Sequence, residues 1–268
     1  MSVFELLSVP IFQRALLAAI LTGACLSLLG IVIVVFNMTT IRFALMHFGL
    51  LGGAIGLAFG ANPLTAAITS IAIGSLFFGP LSDKLKLDTG LIGAFFMTGT
   101  MALAFLIFYR TGVPALDVFS LFTGSIITLT RNDLYFIIAL CVVIVLTFIV
   151  FFREIQLVFY DAEQAEWLGV PAKKIRNGLL FLTGLSVGVA MRIVGALLID
   201  ALVLLSAMAA MGIAKSFKQL IVLTSLFGVI TTTGGLLFSM SFDFPTGVTI
   251  TLTGVLILLV SQFFKRSY

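Results

Sequence analysis

The run RALLAAILTGACLSLLGIVIVVF, residues 14–36, contains 23 residues and only one charged side chain, Arg14. As a helix rising about 1.5 Å per residue, it is long enough to cross the roughly 30 Å hydrocarbon core of a bilayer. Seven further apolar runs approach or reach this length, at 41–60, 62–81, 90–110, 134–152, 178–199, 217–240 and 246–264. The sequence therefore predicts an all-α integral membrane protein with about eight transmembrane helices.

Two shorter apolar pieces, 116–129 and 200–214, lie between these runs. They are too short to cross the bilayer as straight helices, so we expect two short or re-entrant helices. The longest polar stretch between apolar runs is 153–177, which is too short for a soluble domain. We therefore treat residues 1–268 as a single polytopic membrane domain.

Composition excludes the soluble classes. The chain is 61% hydrophobic and 10% charged, whereas soluble domains carry about 25% charged residues. Its 15 Lys and Arg against 11 Asp and Glu give a net charge of only +4. These cations are spread over short loops and form no basic patch, so we expect membrane lipid around the chain and no nucleic acid partner.

The chain offers little for catalysis. It has one histidine and no H-E-x-x-H pair, and the nearest approach to a phosphate-binding loop, residues 212–216, lacks the first glycine. Cys25 and Cys141 lie inside apolar runs, which favours buried thiols over a disulfide or a metal cluster. We expect no enzyme activity and no bound cofactor, and any ATP hydrolysis would belong to another subunit.

Lysine and arginine in short loops predict the orientation of the chain, because cytoplasmic loops are enriched in them. They occur in segments 82–89, 153–177 and 215–218 and in the tail as Lys265 and Arg266. All four regions can be cytoplasmic at once under two conditions. Segment 116–129 must enter the membrane from the outside and return there, and segment 200–214 must bring the chain back to the cytoplasmic side. The N-terminus is then outside and the C-terminus inside.

A short helix is predicted within the polar stretch, over residues 162–168. Asp161 is a good N-cap, and Gln164 three residues later completes a capping-box pattern. Gly169 suits the left-handed position after the helix, and Pro171 blocks its continuation.

The predicted helix is amphipathic and its only charges are acidic. Glu163 and Glu166 flank Ala165, Trp167 and Leu168. One alternative is a helix lying in the lipid headgroups. The inner leaflet is itself anionic, however, and repels acidic side chains. A protein partner is favoured, and a separate ATP-hydrolysing subunit would dock here.

Five stretches, in order along the chain, carry a resemblance to a known family. They are ALMHFGLLGGA at 44–54, 122–126 with 132–134, 161–171, 186–199, and 234–236 with 243–247. Together they resemble the permease subunits of the ABC importers for zinc, manganese and iron, the metal-ion or ABC-3 family.

The resemblance implies an importer in a bacterial or archaeal cytoplasmic membrane. Two copies of the chain would work with two ABC ATPase subunits and an extracytoplasmic metal-binding protein. A divalent zinc, manganese or iron ion would be transported into the cytoplasm. Segment 161–169 is similar to the family's coupling helix, with ATPase-coupling residues Asp161, Glu163, Ala165, Glu166, Trp167, Leu168 and Gly169.

His47 is the first candidate to contact the ion, because an ionisable group inside a span is costly and functional by default. At 100° per residue it points away from a stripe of small residues, Gly49, Gly53, Gly56 and Gly60. Many relatives carry an acid four residues before this histidine, where the present chain has Phe43.

Asp200 is the candidate to replace that missing acid. It begins the short element 200–214, so it could instead be the N-cap of that helix, or it could pair with Arg192. The predicted topology places His47 nearer the cytoplasm and Asp200 nearer the outside. Within one subunit they would then be successive stations for an ion.

Two alternatives to a metal importer stay open. Phe43 in place of an acid favours an ABC importer for a chelated or non-metal substrate. A gradient-driven carrier or channel is compatible with the composition, although it does not need the acidic capped helix.

Overall fold

The computed structural model describes residues 9–85, 89–112, 126–195, 198–199 and 201–264, and these ranges contain no β-strand. The helices are α1 (Pro10–Val35), α2 (Thr39–Ala58), α3 (Pro63–Leu85), α4 (Thr89–Thr111), α5 (Arg131–Val150), α6 (Phe152–Tyr160), α7 (Ala162–Trp167), α8 (Ala172–Val194), α9 (Ser206–Met211), α10 (Phe217–Phe242) and α11 (Thr246–Phe263).

Seven of the described helices are long and apolar enough to cross a membrane, namely α1, α2, α3, α4, α5, α10 and α11. The predicted all-α membrane fold is confirmed. The predicted span 178–199 overlaps α8, which starts and ends earlier than expected. Pro171 immediately precedes α8, and Gly195, with φ +96°, adopts the left-handed conformation that terminates a helix.

The short element predicted at 200–214 is present as an apolar helix over Ala201–Met211. Its first part, Ala201–Leu205, is a π-helical turn, and α9 continues from it. The other short element, 116–129, lies mostly outside the described residues, and its described end forms a 3₁₀ turn over Ile126–Thr128.

The chain forms two compact units. Unit 1 comprises Met1–Val34, Gly124–Phe152 and Ile193–Tyr268, and unit 2 comprises Val35–Thr123 and Arg153–Arg192. The grouping of residues 1–268 into a single membrane domain stays a prediction.

In unit 1, α1 and α10 pack antiparallel through hydroxyl groups and small residues. Ser225 Oγ donates to the carbonyl oxygen of Ala24 at 2.8 Å, and Thr232 Oγ1 donates to that of Ala19 at 2.7 Å. Between these two hydroxyl donors, the α1 backbone lies so close to Gly228 that there is no room for a Cβ at this position. Such contacts take the place of hydrophobic burial in membrane helix packing.

Helices α1 and α5, also in unit 1, run parallel. Near their N-terminal ends, Arg14 Nη1 donates to the carbonyl oxygen of Leu129 at 3.4 Å. Further along, Cys141 Sγ donates to the carbonyl oxygen of Leu21 at 3.4 Å. The N-terminal ends of α1 and α5 therefore lie on the same side of this unit.

In unit 2, α3 packs antiparallel to α2 and to α8. A Cβ on Gly56 of α2 would meet Pro63 at the start of α3. Gly188 of α8 lies against Ile71, and Gly184 lies against Ser75. Glycines therefore bring these helices into close contact at the positions where bulk is excluded.

Candidate functional site

His47 lies on α2 in unit 2 and is half-buried. Its Nδ1 is 2.7 Å from the carbonyl oxygen of Phe43, one turn earlier on the same helix. A carbonyl oxygen only accepts hydrogen bonds, so Nδ1 carries the proton. In the neutral ring the free lone pair is then on Nε2, and this is the atom available to a metal ion.

The turn that carries His47 is held by an aromatic cluster from three helices. Phe48 of α2 packs against Phe78 of α3 and Phe96 of α4, with ring centroids 5.9 Å and 5.4 Å away. The rings of Phe78 and Phe96 are themselves 5.0 Å apart. Such tilted ring pairs add stability beyond apolar burial and fix the backbone next to His47.

Phe43 lies one turn before His47 on α2 and is 39% exposed. The Arg42 guanidinium carbon lies 4.7 Å from the centre of the Phe43 ring, within cation–π range. Arg42 itself is 4% exposed. Helix α2 contains no acidic residue, so His47 receives no carboxylate partner from its own helix.

The predicted stripe of small residues is only partly a packing surface. Gly49, Gly53 and Gly56 are buried within α2. Gly60, however, lies beyond the end of α2 in a left-handed conformation, φ +67°, with open space around it. Gly60 therefore serves the turn rather than helix packing.

Asp200 lies outside the described residues, as does the side chain of Arg192. Among the described residues, no three His, Cys, Asp or Glu side chains come together to hold a metal ion. The assignment of His47 and Asp200 as metal contacts therefore stays a prediction.

The predicted N-cap of α7 is present in unit 2. Asp161 Oδ1 accepts from the backbone N–H groups of Glu163 and Gln164, at 2.9 and 3.0 Å. The reciprocal half of the predicted capping box is not formed, because the Asp161 N–H donates to the carbonyl oxygen of Leu157 instead. Helix α6, which precedes α7, supplies that acceptor.

The C-terminal end of α7 is closed by Gly169, whose φ is +84°. The Gly169 N–H donates to the carbonyl oxygen of Glu166 at 3.0 Å, and the Val170 N–H donates to that of Ala165 at 2.9 Å. This pair of bonds is a Schellman motif. The α-helix ends at Trp167, one residue earlier than predicted.

The apolar residues of α7 divide between two faces. Ala165 is fully buried and packs in a cluster with Val158 of α6 and Ala172 of α8. Trp167 is 83% exposed and Leu168 is 69% exposed. Ala165 therefore anchors α7, and the two larger residues form an exposed apolar surface.

A cavity of about 210 Å³ lies beside α7 in unit 2. Its polar lining consists of the acids Glu163 and Glu166 and the bases Lys173 and Arg176, and its apolar lining is Val158, Ala162 and Ala172. Sequence reasoning missed both α6 and this arrangement of charges. The sequence did contain a signal for this arrangement. Lys173 and Arg176 follow the acids Glu163 and Glu166 after about ten residues, and the turn at Gly169 lies between the two pairs.

The sequence model of the ABC 3 transport family matches residues 8–265. The chain is 27% identical to the manganese transport system membrane protein MntC of Halalkalibacterium halodurans, covering 97% of this chain and 89% of the relative. It is 30% identical to the manganese import system permease protein ScaB of Streptococcus gordonii, covering 94% and 90%. It is 26% identical to the high-affinity zinc uptake system membrane protein ZnuB of Haemophilus influenzae, covering 92% and 97%.

A solved structure with the same fold is that of PsaBC from Streptococcus pneumoniae in complex with Fab. The TM-score is 0.81 at 25% identity, over 98% of this chain and 95% of the solved chain. The similarity thus covers nearly the whole length of both chains.

Proposed function

This chain belongs to the ABC 3 transport family, and on that premise we propose that it is the membrane permease subunit of an ATP-driven importer for a divalent transition-metal ion. Zinc, manganese and iron are the candidate substrates. The observation that carries the proposal is the family match over residues 8–265, supported by relatives named for manganese and zinc transport.

The energy for transport comes from a separate ABC ATPase subunit, which docks on α7. The sequence has no phosphate-binding loop of its own. Helix α7 is capped at both ends, anchored by Ala165, and exposes Trp167 and Leu168 beside acidic side chains. A rigid helix with exposed large apolar residues suits a protein partner.

Two copies of the chain form the transport pathway with two ATPases, and an extracytoplasmic binding protein delivers the metal ion. His47 contacts the ion through Nε2, since Nδ1 is committed to the Phe43 carbonyl. Asp200 provides a second, more external station. Neutral imidazole and carboxylate are suitable ligands for zinc, and carboxylate also for manganese.

In the proposed orientation the N-terminus is outside and the C-terminus inside a bacterial or archaeal cytoplasmic membrane. Basic residues at the end of α3 and the start of α8 support this orientation, Lys84 in the former and Lys173 and Lys174 in the latter. The antiparallel packing of α3 and α8 brings these basic ends to the same side of unit 2.

Phe43 favours a second candidate, an importer for a chelated metal. With 39% of its surface exposed beside His47, this ring presents an apolar contact where a carboxylate would bind a bare cation. A chelate already carries most of its own ligands, so one imidazole and an aromatic ring suffice to recognise it.

Metal accumulation in cells tests the proposed function. A host lacking its own uptake systems would express the chain with its genomically adjacent ATPase and binding protein, and metals would be measured by elemental analysis. Wild type is expected to accumulate zinc, manganese or iron selectively, and His47→Ala is expected to lose most of that accumulation.

Thr98→Ala is the matched control, because Thr98 is exposed on α4 and its hydroxyl bonds only to its own helix backbone. Accumulation that survives His47→Ala would remove His47 as a ligand and keep the importer. If no metal accumulates while the ATPase remains bound, the divalent-ion assignment is wrong and chelates become the substrates to assay.

A further inference from the structure

Asn177 of α8 packs directly against α3 within unit 2. A Cβ placed on Gly79 of α3 would clash with Oδ1 and Cγ of Asn177. The amide group of Asn177 therefore occupies the space that a side chain at position 79 would need. Leu180, about one turn later on α8, lies 3.2 Å from the same point. Two successive turns of α8 are thus held against one residue of α3.

The backbone of α3 is irregular at this contact. Pro80, next to Gly79, lies inside the helix. It has no N–H to donate to the carbonyl oxygen four residues earlier, which is that of Leu76. Backbone groups freed in this way in a membrane are served by neighbouring helices. Proline is also the usual position of a kink, so α3 has a hinge beside Asn177.

The amide of Asn177 is suited to serve the freed carbonyl. Its Oδ1 is buried and accepts no hydrogen bond from any described residue, which is a costly arrangement for a buried acceptor. The other half of the amide, Nδ2, carries two donor hydrogens. A half-turn of the amide about its Cβ–Cγ bond exchanges the two atoms. Nδ2 then faces the turn of α3 that contains both Leu76 and Gly79.

The start of α8 links Asn177 to α7. Ala172, the first residue of α8, packs in one cluster with Ala165 of α7. Asn177 lies five residues later in the same helix, whose backbone hydrogen bonds hold the two positions at a fixed distance. A displacement of α7 therefore displaces Asn177 against α3.

The α3 side of the contact leads to His47. Phe78 adjoins Gly79 in α3, and its ring centroid lies 5.9 Å from that of Phe48 in α2. Phe48 directly follows His47 in the chain. The described contacts therefore run from α7 through α8 and α3 to α2, and all of these helices belong to unit 2.

We propose that Asn177 is a positioning residue that transmits movement of α7 to the turn that carries His47. Its amide donates to the Leu76 carbonyl that Pro80 leaves without a donor, and this bond sets the direction of α3 at the hinge. The inference rests on the proposed function, in which an ATPase docks on α7 and His47 contacts the ion. Loss of the bond uncouples ATP hydrolysis from ion movement and leaves the ATPase bound, because α7 itself is unchanged.

The test measures zinc or manganese uptake and ATP hydrolysis in the same vesicles, which contain the chain with its ATPase and its binding protein. Asn177→Leu is similar in size to the wild type and has no donor. The number of ions moved per ATP hydrolysed is expected to fall about fivefold in this variant. Asn177→Asp keeps Oδ1 and lacks Nδ2, and it should show a fall of similar size. Recovery of the ATPase with the tagged chain and the melting temperature should stay at the wild-type level.

Gly178→Ala is the matched control on α8. Gly178 is the next residue, it is exposed, and nothing lies within 4 Å of an added Cβ, so the ratio of ions to ATP should not change. Gly79→Ala disturbs the same contact from the α3 side. The double variant of Gly79→Ala and Asn177→Leu should therefore be no worse than the more impaired single variant.

Three outcomes overturn the role of Asn177 alone. The ratio may be unchanged in both Asn177 variants, it may fall only together with ATPase recovery and melting temperature, or it may fall equally in Gly178→Ala. The second outcome would show a merely structural residue. Wild type that moves no ion with ATP would overturn the proposed function and, with it, this role.

Discussion

The ring of His47 is hydrogen-bonded through Nδ1 to the carbonyl oxygen of Phe43, 2.7 Å away and one helical turn earlier. This bond sets the tautomer of the only histidine in the chain and leaves Nε2 to face a ligand. The same turn places the Phe43 side chain where an acid would complete a two-ligand site. In the proposed ion site, the two residues would together determine what kind of metal species can bind.

Placing an acid at position 43 is expected to favour the uptake of bare divalent ions. In Phe43→Glu, carboxylate and imidazole stand four residues apart on one helix face and can bind a single ion. We expect the half-saturating concentration of zinc or manganese for uptake to fall by about tenfold, the lower end of the roughly 10–100-fold affinity that is lost when a supporting group of a metal site is removed. Uptake of a metal chelate should weaken.

Phe43→Gln is the matched control, because it is polar and similar in size to the glutamate but uncharged. If the half-saturating metal concentration falls equally in Phe43→Glu and Phe43→Gln, polarity alone is responsible and no new ligand has been added. No change in either would mean that Phe43 does not lie on the ion pathway.

Helix packing in unit 1 is expected to tolerate no side chain at Gly228. A Cβ there would clash with the carbonyl oxygen of Gly23 on α1. Overpacking of this kind costs about 1–3 kcal/mol, so Gly228→Ala should lower the melting temperature. Gly99→Ala, where nothing lies within 4 Å, should leave it unchanged or slightly raised. Equal stability of the two variants would contradict the described α1–α10 contact.

The N-cap of α7 is expected to matter for ATPase binding. Asp161→Ala removes the acceptor for two backbone N–H groups and costs the helix about 1 kcal/mol. Asp161→Asn keeps an oxygen acceptor and should retain more binding. The measurement is co-purification of the ATPase with each tagged variant, and identical recovery from both would refute a role for the cap.

The exposed aromatic of α7 is expected to contribute directly to docking. Trp167→Ala removes a side chain that is 83% exposed in the chain alone. We expect ATPase affinity to fall about thirtyfold, equivalent to ~2 kcal/mol, as for a central interface aromatic. Tyr109→Ala, 86% exposed at the end of α4, is the control and should leave affinity unchanged. If Trp167→Ala and Tyr109→Ala bind the ATPase with equal affinity, the ATPase does not dock on α7.

Local signals in the sequence were sufficient for the long apolar helices and for the capping residues Asp161 and Gly169 of α7. A long apolar run in a membrane has few alternatives to a helix. The Asp161 side chain and the Gly169 backbone make their contacts with residues no more than four positions away. Pro171 explains why α8 begins at Ala172, although the predicted span began only at residue 178.

Features that depend on tertiary contacts were not predictable from the sequence. The incomplete capping box has a local cause instead: α6, predicted as loop, places the Leu157 carbonyl to accept the Asp161 N–H four residues later. The hydrogen bond from Cys141 to the Leu21 carbonyl joins helices that are distant in sequence. The burial of Ala165 against Val158 depends on how α6 and α8 meet, which periodicity alone does not specify.

ATP-dependent metal uptake by a reconstituted complex tests the central claim most directly. The chain, its ATPase and its binding protein would be placed in lipid vesicles, and entry of zinc or manganese would be followed with and without ATP. Uptake is predicted only when ATP and the binding protein are both supplied, and it should be lost in His47→Ala. Uptake that proceeds without ATP, driven by an imposed ion gradient, would contradict the importer and identify a carrier.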